Sequence, residues 1–559
     1  MEKLTRRDFL RTSALTGAAA ALAGAMPLAA SAAAPEEENC LPLVSKSKNA
    51  PTMPSVVQLD RGYVMGYVYD GVHTFRGIPY GVHERFKYAT PASYGTAERP
   101  TGALTNGSVS PQSNTQTQYS NYFASAAFMT PSESDMFTTE KDCLNLNVWT
   151  NSLDPSAKKP VLVFMHGGGL QNGSSLELKI YDGRYFADYT DCVFVSVNAR
   201  LNYVGYLDLT CIGGDANIGV ADMILSLQWV RDNIAKFGGD ASNVTILGQS
   251  GGGTKVTSLA CAPAAQGLFS KVVYVSGGTA SGRTPEAAAE NAQKLVAQVR
   301  TDITGMENAT DAEIFAYLQN VHYDTLVDLC NAARVNYTHT TGSPYFSSNF
   351  FDANGVLNDI AAQYTYMFGA AWAEMGGNNS ADAVLYSMPG EAKCNVSDAE
   401  CVARLQKKFG ANYDRAVAAF KKAYPNHDLY DLNSLASFAG SSVAKRTAAR
   451  APKVYEYLVT YTMPYFGGMT MVHTADIAFW FHSLDNVPYQ IAGDEKNAYK
   501  LADRMASALA AFCATGDPST RTLAWEPYTD AKPRTMILDT KCECKDSSFD
   551  DELYQLIRG

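Results

Sequence analysis

The stretch Asn243-Val-Thr-Ile-Leu-Gly-Gln-Ser-Gly-Gly-Gly253 predicts a strand, a tight turn and a helix in immediate succession. Strand-forming residues run up to Leu247, the turn carries the pattern G-x-S-x-G, and an apolar-periodic segment begins at Val256. A nucleophilic serine on such a turn needs glycines two residues before and after it, because side chains there would collide with the neighbouring backbone. The pattern therefore indicates Ser250 as a catalytic nucleophile. A plain glycine-rich turn, in a chain with 43 glycines, is the alternative.

The composition fits a large globular protein with an acidic surface. The chain has 559 residues, of which 46% are hydrophobic and 18% charged, and its net charge is −11. Binding to a phosphate backbone requires a basic surface. The charge balance therefore argues against a nucleic-acid partner.

The first residues have the pattern of an export signal. Thr5-Arg-Arg-Asp-Phe-Leu10 resembles the twin-arginine motif. An uncharged, alanine-rich run from Ala14 to Ala30 follows, and Ala30-Ser-Ala32 or Ala32-Ala-Ala34 would suit signal peptidase. The run is rich in Ala and Gly rather than Leu and Ile, so we expect its removal and no stable membrane anchor. The expected destination is the cell envelope or the exterior, which is the periplasm in a Gram-negative cell.

The composition also predicts the domain organisation. Residues 1–34 form the twin-arginine signal peptide, 35–53 a polar linker, and 54–559 one catalytic domain. Eleven cysteines suit an oxidising destination, but their number is odd and their connectivity does not follow from the sequence. Cys394 and Cys401 flank a short polar loop and are the easiest pair to bring together.

Near-continuous apolar strands separated by helical segments predict an α/β fold with a large, mostly parallel mixed sheet and helices on both faces. The strands are Lys159–Met165, Cys192–Val197, Val244–Leu247 and Lys271–Val275. Apolar periodicity predicts a helix from about Val220 to Phe237. Residues 85–135 form a long polar excursion, and 285–450 are mostly helical. We expect these two regions to border the site, the second as helical lid insertions.

A serine hydroxyl becomes a nucleophile when a base removes its proton and an acid holds that base. In an α/β-hydrolase the chain order is Ser, then Asp or Glu, then His. The histidines after Ser250 are His322, His339, His427, His473 and His482. His473 is favoured because Met471-Val-His-Thr-Ala-Asp476 follows a strand at Val454–Thr462, whereas the aromatic neighbours of His482 indicate a structural role.

The reaction also needs N–H donors where the negative charge develops. The backbone N–H of Gly251, directly after the nucleophile, is one candidate. The loop His166-Gly-Gly-Gly169 follows an earlier strand and offers further backbone donors without side chains. A turn without function is the alternative for that loop.

Several long segments together resemble the type-B carboxylesterase family, which includes bacterial para-nitrobenzyl esterases and cholinesterases. The segments are Phe75-Arg-Gly-Ile-Pro-Tyr80, Asp142-Cys-Leu-Asn-Leu-Asn-Val-Trp149, Asn217-Ile-Gly219, Gln228-Trp-Val-Arg-Asp-Asn-Ile-Ala-Lys-Phe-Gly-Gly-Asp240 and Trp525-Glu-Pro-Tyr-Thr529. The resemblance spans nearly the whole chain after the signal, and it implies an α/β-hydrolase fold.

The resemblance also implies the roles of site residues. It makes Ser250 the nucleophile and His473 the base, and it makes Gly168, Gly169 and Gly251 the oxyanion hole. For the acid, a strand followed by G-x-x-x-x-E matches Tyr364-Thr-Tyr-Met-Phe-Gly-Ala-Ala-Trp-Ala-Glu374. Glu374 is therefore expected, with Asp352 and Asp359 as rivals.

The implied function is an exported serine carboxylesterase that acts on a small-molecule ester and needs no cofactor or metal. Asp352-Ala-Asn-Gly355 lacks the spacing and terminal glutamate of a calcium loop. An amidase, a lipase or a feruloyl-type esterase could use the same triad, and a non-catalytic binding protein could share the fold. The natural ester and the oligomeric state do not follow from the sequence.

Overall fold

The computed structural model describes residues 54–112, 139–175, 177–373, 393, 396–435, 437–464 and 467–558. The predicted signal peptide and linker lie outside these ranges. So does the part of the polar excursion from residue 113 onward.

A 13-stranded sheet forms the centre of the described chain. The strands of the fold, in chain order, are β1 (Pro54–Leu59), β2 (Gly62–Tyr69), β3 (Val72–Pro79), β4 (Gly81–Val82), β5 (Thr90–Pro91), β6 (Thr101–Gly102), β7 (Asn145–Thr150), β8 (Lys159–Met165), β9 (Val193–Val197), β10 (Gly239–Gln249), β11 (Lys271–Val275), β12 (Gly282–Arg283), β13 (His339–Thr340), β14 (Thr365–Ala371), β15 (Lys453–Val459), β16 (Arg534–Leu538) and β17 (Glu543–Asp546). The spatial order in the large sheet is β1-β2-β3-β7-β9-β8-β10-β11-β14-β15-β16-β17, with β6 beside β2. The short pairs β4–β5 and β12–β13 lie outside it.

The middle of the sheet is parallel and its edges are antiparallel. Every neighbouring pair from β9 through β8, β10, β11, β14 and β15 to β16 is parallel. The edge pairs β1–β2, β2–β3, β3–β7, β7–β9 and β16–β17 are antiparallel. The predicted mostly parallel mixed sheet is confirmed.

Helices form the connections that parallel pairing requires. They are α1 (Arg184–Tyr189), α2 (Asn202–Tyr206), α3 (Ile218–Asn233), α4 (Gly251–Ala260), α5 (Pro285–Asp302), α6 (Asp311–Asn320), α7 (Tyr323–Ala332), α8 (Asp398–Phe409), α9 (Tyr413–Ala423), α10 (Ser442–Ala448), α11 (Ile477–Trp480), α12 (Glu495–Thr515) and α13 (Asp551–Arg558). The helix predicted from Val220 corresponds to α3, which a 3-10 turn extends to Phe237.

Two hydrophobic cores cover the two faces of the sheet, because side chains alternate along each buried strand. Val161, Val163 and Met165 of β8 join one core, together with residues of α3 and α4. Leu162 and Phe164 of the same strand join the other core. There they lie with one stripe of α12, formed by Leu501, Met505, Leu509 and Phe512. The predicted arrangement of helices on both faces is confirmed.

The region 285–450 is not wholly a helical insertion. It supplies α5 to α10, but it also supplies β14, which lies between β11 and β15 in the parallel part of the sheet. This strand is the one that the family resemblance implied before Gly369. The region therefore contributes helices beside the sheet and also one of its parallel strands.

Cysteines of the described chain are free thiols. They are Cys143, Cys192, Cys211, Cys261, Cys330, Cys401, Cys513, Cys542 and Cys544. Cys394, the suggested partner of Cys401, lies outside the described residues. Within the described ranges, no helix combines the length and the apolar character that a bilayer span requires.

Candidate active site

Ser250 occupies the sharp turn between β10 and α4. Its backbone has φ 56° and ψ −122°, a conformation that non-glycine residues adopt at an energetic cost. Two backbone hydrogen bonds hold the turn: the Ser250 N–H donates to the Val275 carbonyl at 2.9 Å, and the Gly253 N–H donates to the Ser250 carbonyl at 2.8 Å. Ser250 is partly exposed at the end of a buried strand.

The glycines around Ser250 are required by close backbone approach. A side-chain carbon on Gly248 would overlap the carbonyl oxygen of Gly252. A side-chain carbon on Gly252 would overlap the carbonyl oxygen of Met165 at the end of β8. The two glycines of G-x-S-x-G therefore allow β10, α4 and β8 to meet at one point.

The glycine-rich loop after β8 lies against this turn. A side-chain carbon on Gly251 would overlap the backbone of Gly169, and one on Gly167 would lie 3.3 Å from the Ser250 Cβ. Gly168 and Gly169 have φ angles of 83° and 68° and are exposed. The backbone segments that carry the three predicted oxyanion donors therefore meet beside Ser250.

His473 lies directly after a parallel bridge between Ala373 and Val472. The Ala373 N–H donates to the Met471 carbonyl at 2.8 Å, which joins the end of the β14 segment to the histidine loop. The two chain segments run side by side at this point. The residue after Ala373 is Glu374, which lies outside the described residues.

The side chain of Gln249 connects the histidine to the turn. The Gln249 Nε2 lies 3.1 Å from the His473 Nε2 and donates to the Thr474 Oγ1 at 2.9 Å. An amide NH2 group donates hydrogen bonds and does not accept them. The His473 Nε2 therefore accepts this bond, and the ring proton is on Nδ1. Burial lowers the pKa of His473 to about 4, which also favours the neutral ring.

The described residues do not include the predicted acid, and Ser250 and His473 are not yet paired. Among the described residues, no hydrogen bond joins the Ser250 Oγ to the His473 ring, whose Nε2 faces Gln249 instead. Such bonds are often long in free enzymes and shorten when substrate binds. The predicted role of His473 as the base of Ser250 would require the ring to exchange the Gln249 amide for the Ser250 hydroxyl.

Both rivals for the acid have other partners. Asp352 accepts from the backbone N–H groups of Asn354 and Val356, each at 2.8 Å, and closes its own turn. Asp359 pairs with Arg450 at 2.7 Å, and 89% of its side chain is exposed. These contacts favour neither residue as the partner of His473.

The surroundings of the other candidate histidines do not favour a role as the base. His339 lies 2.7 Å from the Ser258 hydroxyl, but both side chains are buried, so this serine–histidine pair cannot meet a substrate. His482 lies 2.9 Å from Asp503 and stacks on Tyr189. The His322 side chain is 79% exposed.

His427 belongs to a cluster that supports the two segments of the site. Its Nε2 lies 2.9 Å from Asp539, and its Nδ1 lies 3.5 Å from Asp431. The Asp431 carboxylate also accepts from the Thr470 hydroxyl at 2.8 Å. The rings of His427 and Trp372 pack edge to face, with their centroids 4.6 Å apart. The cluster therefore connects the end of the β14 segment to the loop that carries His473.

Burial opposes the charge of His427, but hydrogen bonds to Asp431 and Asp539 outweigh it and raise the pKa to about 9. In contrast, burial itself raises the pKa of Asp476, three residues after His473, to about 7.

Within the described residues, no three His, Cys, Asp or Glu side chains are grouped so that they could hold a metal ion.

Two functional candidates were not recognised in the sequence. Gln249 occupies the variable position before the nucleophile, and its contact with His473 joins residues 224 apart in the chain. Lys255 lies in the helix after Ser250, where one charged residue among uncharged ones is the signal in the sequence. It is buried and lies against His166.

Comparison with known proteins gives two family matches. The profile of the carboxylesterase family matches residues 53–556. The profile of the twin-arginine translocation (TAT) pathway signal sequence matches residues 3–23.

Individual relatives cover most of the chain. The para-nitrobenzyl esterase of Bacillus subtilis is 26% identical over 87% of this chain and 95% of its own length. The phenmedipham hydrolase of Pseudarthrobacter oxydans is 26% identical over 85% of this chain and 93% of its own length. A solved esterase from Clostridium hathewayi, described as able to hydrolyse aliphatic aromatic polyesters, has a TM-score of 0.77 and 31% identity, and it covers 91% of this chain and 99% of its own.

Proposed function

Since the chain belongs to the carboxylesterase family, we propose that it hydrolyses carboxylic esters through a covalent acyl-enzyme formed on Ser250. The family and its esterase relatives identify a carboxylic-ester hydrolase, and the signal sequence identifies export by the twin-arginine route. The observation that carries the covalent mechanism is the strained turn of Ser250, packed against the glycine-rich loop and joined through Gln249 to His473.

The proposed reaction begins when the Ser250 Oγ attacks the ester carbonyl carbon and His473 takes the hydroxyl proton. The carbonyl oxygen becomes an oxyanion and accepts hydrogen bonds from the backbone N–H groups of Gly168, Gly169 and Gly251. Collapse of this intermediate breaks the ester C–O bond. The departing alcohol takes the proton from His473.

Deacylation repeats these steps with water as the nucleophile. His473 removes a proton from the water, the hydroxide attacks the acyl carbon, and the proton returns to the Ser250 oxygen as the acid leaves. Glu374 is the proposed acid that orients the His473 ring and stabilises its cationic form. The parallel bridge between Ala373 and Val472 supports this choice, because Glu374 and His473 each come next in the two paired segments.

We infer that small aryl and benzyl esters are the first substrates to test. One relative is a para-nitrobenzyl esterase, one is a phenmedipham hydrolase, and one is described as hydrolysing aliphatic aromatic polyesters. We also infer that the signal is removed near Ala32 or Ala34. The enzyme then works outside the cytoplasm, in the envelope or the exterior.

The test compares hydrolysis of para-nitrophenyl acetate by the wild-type protein, Ser250→Ala and Ser258→Ala. We expect the first variant to lose more than about 10³-fold in kcat, since the nucleophile is removed. Ser258→Ala is the matched control, because that serine also contacts a histidine but is buried. A fluorophosphonate should label the wild-type protein and the control, but not Ser250→Ala. Equal labelling of Ser250→Ala would contradict the acyl-enzyme.

A further inference from the structure

A lysine lies buried against His166, the residue that precedes the three glycines of the loop. Lys255 is the fifth residue of α4, the helix that begins directly after Ser250, and 2% of its surface is exposed. Its Nζ donates to the His166 carbonyl oxygen at 3.0 Å. The same Nζ lies 3.2 Å from the Nε2 and 3.4 Å from the Nδ1 of the His166 ring.

His166 immediately precedes the three glycines of the loop. It is buried, and its Nδ1 lies 2.9 Å from the Gly167 carbonyl oxygen. Burial, followed by the charge of Lys255, holds the pKa of His166 well below its ordinary value, so the ring is neutral. The His166 ring therefore adds no positive charge beside Lys255.

Glu177 completes the cluster at the other end of the loop. A side-chain carbon on Gly173 would lie 2.8 Å from the His166 Nδ1 and 3.2 Å from the Glu177 Oε1, so both groups border Gly173. Burial lowers the pKa of Lys255 to about 7, and the Glu177 carboxylate opposes this shift. An opposite charge nearby is what a buried ammonium requires.

Backbone contacts hold the loop between these two ends: the Asn172 N–H donates to the Gly168 carbonyl at 2.9 Å, and Gly169 packs against Gly251. Gly167, Gly168 and Gly169 have no side chains to pack, and glycine has more accessible backbone conformations than any other residue. The oxyanion donors must nevertheless be in place before the reaction, since they act by preorganisation. The position of the loop therefore also depends on the residues that flank it.

We propose that Lys255 is a positioning residue that clamps the glycine-rich loop through His166 and so aligns its N–H groups for the oxyanion. The ammonium holds the His166 carbonyl at the start of the loop, while Glu177 balances its charge at the far end. The inference rests on the proposed function, in which Gly168 and Gly169 bind the oxyanion. Its chemical content is one ammonium-to-carbonyl hydrogen bond that links the nucleophile helix to the loop.

The test uses Lys255→Met, which removes the charge and the donor while retaining the length of the side chain. The matched control is Lys271→Met, because Lys271 is also buried but contacts Asn243 and Ser270 at the start of β11, away from Ser250. Lys255→Gln serves as a second variant if the methionine variant does not fold.

Two readouts separate positioning from general stability. Hydrogen–deuterium exchange of the Gly167–Gly169 amides should rise by about 10-fold or more in Lys255→Met and remain at the wild-type level in Lys271→Met. The kcat for para-nitrophenyl acetate should fall by about 10-fold or more with KM nearly constant, because the donors act on the transition state. Affinity for a trifluoromethyl ketone, which forms a tetrahedral adduct with a serine nucleophile, should fall in parallel.

Unchanged loop exchange in a folded Lys255→Met or Lys255→Gln variant would overturn the inference, as would an equal effect in Lys271→Met. The exchange measurement does not depend on turnover. Wild-type protein that neither hydrolyses esters nor reacts with a fluorophosphonate would refute the proposed function, and loop exchange would still decide the role of Lys255.

Discussion

Gln249 is the residue that decides what the His473 ring faces in the free enzyme. Its neutral amide donates to the ring nitrogen and leaves His473 without an added charge. Replacement by Glu would place a carboxylate beside the same nitrogen. An opposite charge at this distance stabilises the protonated ring and raises its pKa.

We therefore predict that Gln249→Glu moves the acidic limb of kcat/KM upward by about one pH unit or more. The measurement is kcat/KM for a para-nitrophenyl ester between pH 4 and 8. Gln249→Met, which is neutral and similar in size, should leave the limb near its wild-type position. Coincident limbs for the wild-type protein and Gln249→Glu would show that residue 249 is not beside the base.

At the scale of elements, the sharp turn at Ser250 between β10 and α4, here called the elbow, depends on the contact of α4 with the end of β8. We predict that Gly252→Ala lowers both kcat and Tm, because the added methyl group overlaps the Met165 carbonyl and neither backbone segment can move alone. Gly102→Ala is the control, since the nearest atom to its added carbon is a Leu104 side-chain atom at 4.0 Å. Esterase assays and thermal melts of the two variants make the comparison. A fully active Gly252→Ala would mean that the elbow is looser than described.

The cluster of His427 predicts a pH-dependent contribution to stability. Its pKa is raised to about 9 in the folded protein, from 6.5. The folded state therefore binds the proton more tightly than the unfolded state. The stabilisation, on the order of 3 kcal/mol from 1.36 kcal/mol per pKa unit, is complete below pH 6.5 and is lost as the pH rises through 9.

We expect the Tm of the wild-type protein to exceed that of His427→Asn at pH 6, and this difference to shrink by pH 9.5. Thermal melts across this range provide the measurement. His322→Asn is the control, because solvent screens its exposed contact with Asp324. A Tm difference that stays constant with pH would contradict the charged state of His427.

At the scale of the whole molecule, the twin-arginine signal predicts where the activity is found. Arg6→Lys combined with Arg7→Lys should keep the esterase activity inside the cytoplasm, since the paired arginines are the export address. Fractionation of the producing cells, with an activity assay on each fraction, tests this. Arg11→Lys, outside the pair, should leave export unchanged. Export of the double variant at the wild-type level would point to a different route.

The sequence predicted the fold class because its determinants are local. Apolar strands such as Lys159–Met165, the glycines at 248 and 252 and the stripe of α12 each carry their own pattern. The order of the sheet depends on pairings between distant segments, such as β14 between β11 and β15, and the family resemblance supplied that strand. Without the resemblance, the pattern of residues 285–450 predicts helices.

Part of the candidate site could also be predicted from the sequence. The turn at Ser250 and the glycine-rich loop are local patterns, and among the histidines after Ser250 the position behind a predicted strand favoured His473. The contact of Gln249 with His473 and that of Lys255 with His166 join residues far apart, and no local pattern specifies either pairing. Glu374 remains a prediction, since it lies outside the described residues.

The segments of the site come from widely separated parts of the chain. The glycine-rich loop follows Met165, the proposed nucleophile is at 250, the histidine loop is at 473, and β15 still requires β16 at 534–538 as its neighbour. A ribosome must therefore release most of the chain before the sheet can close. Proteins that use the twin-arginine route cross the membrane already folded. The enzyme is therefore folded in the cytoplasm, in the presence of the cell's own esters, before export. The signal sequence controls the compartment in which the enzyme acts and does not control its activity.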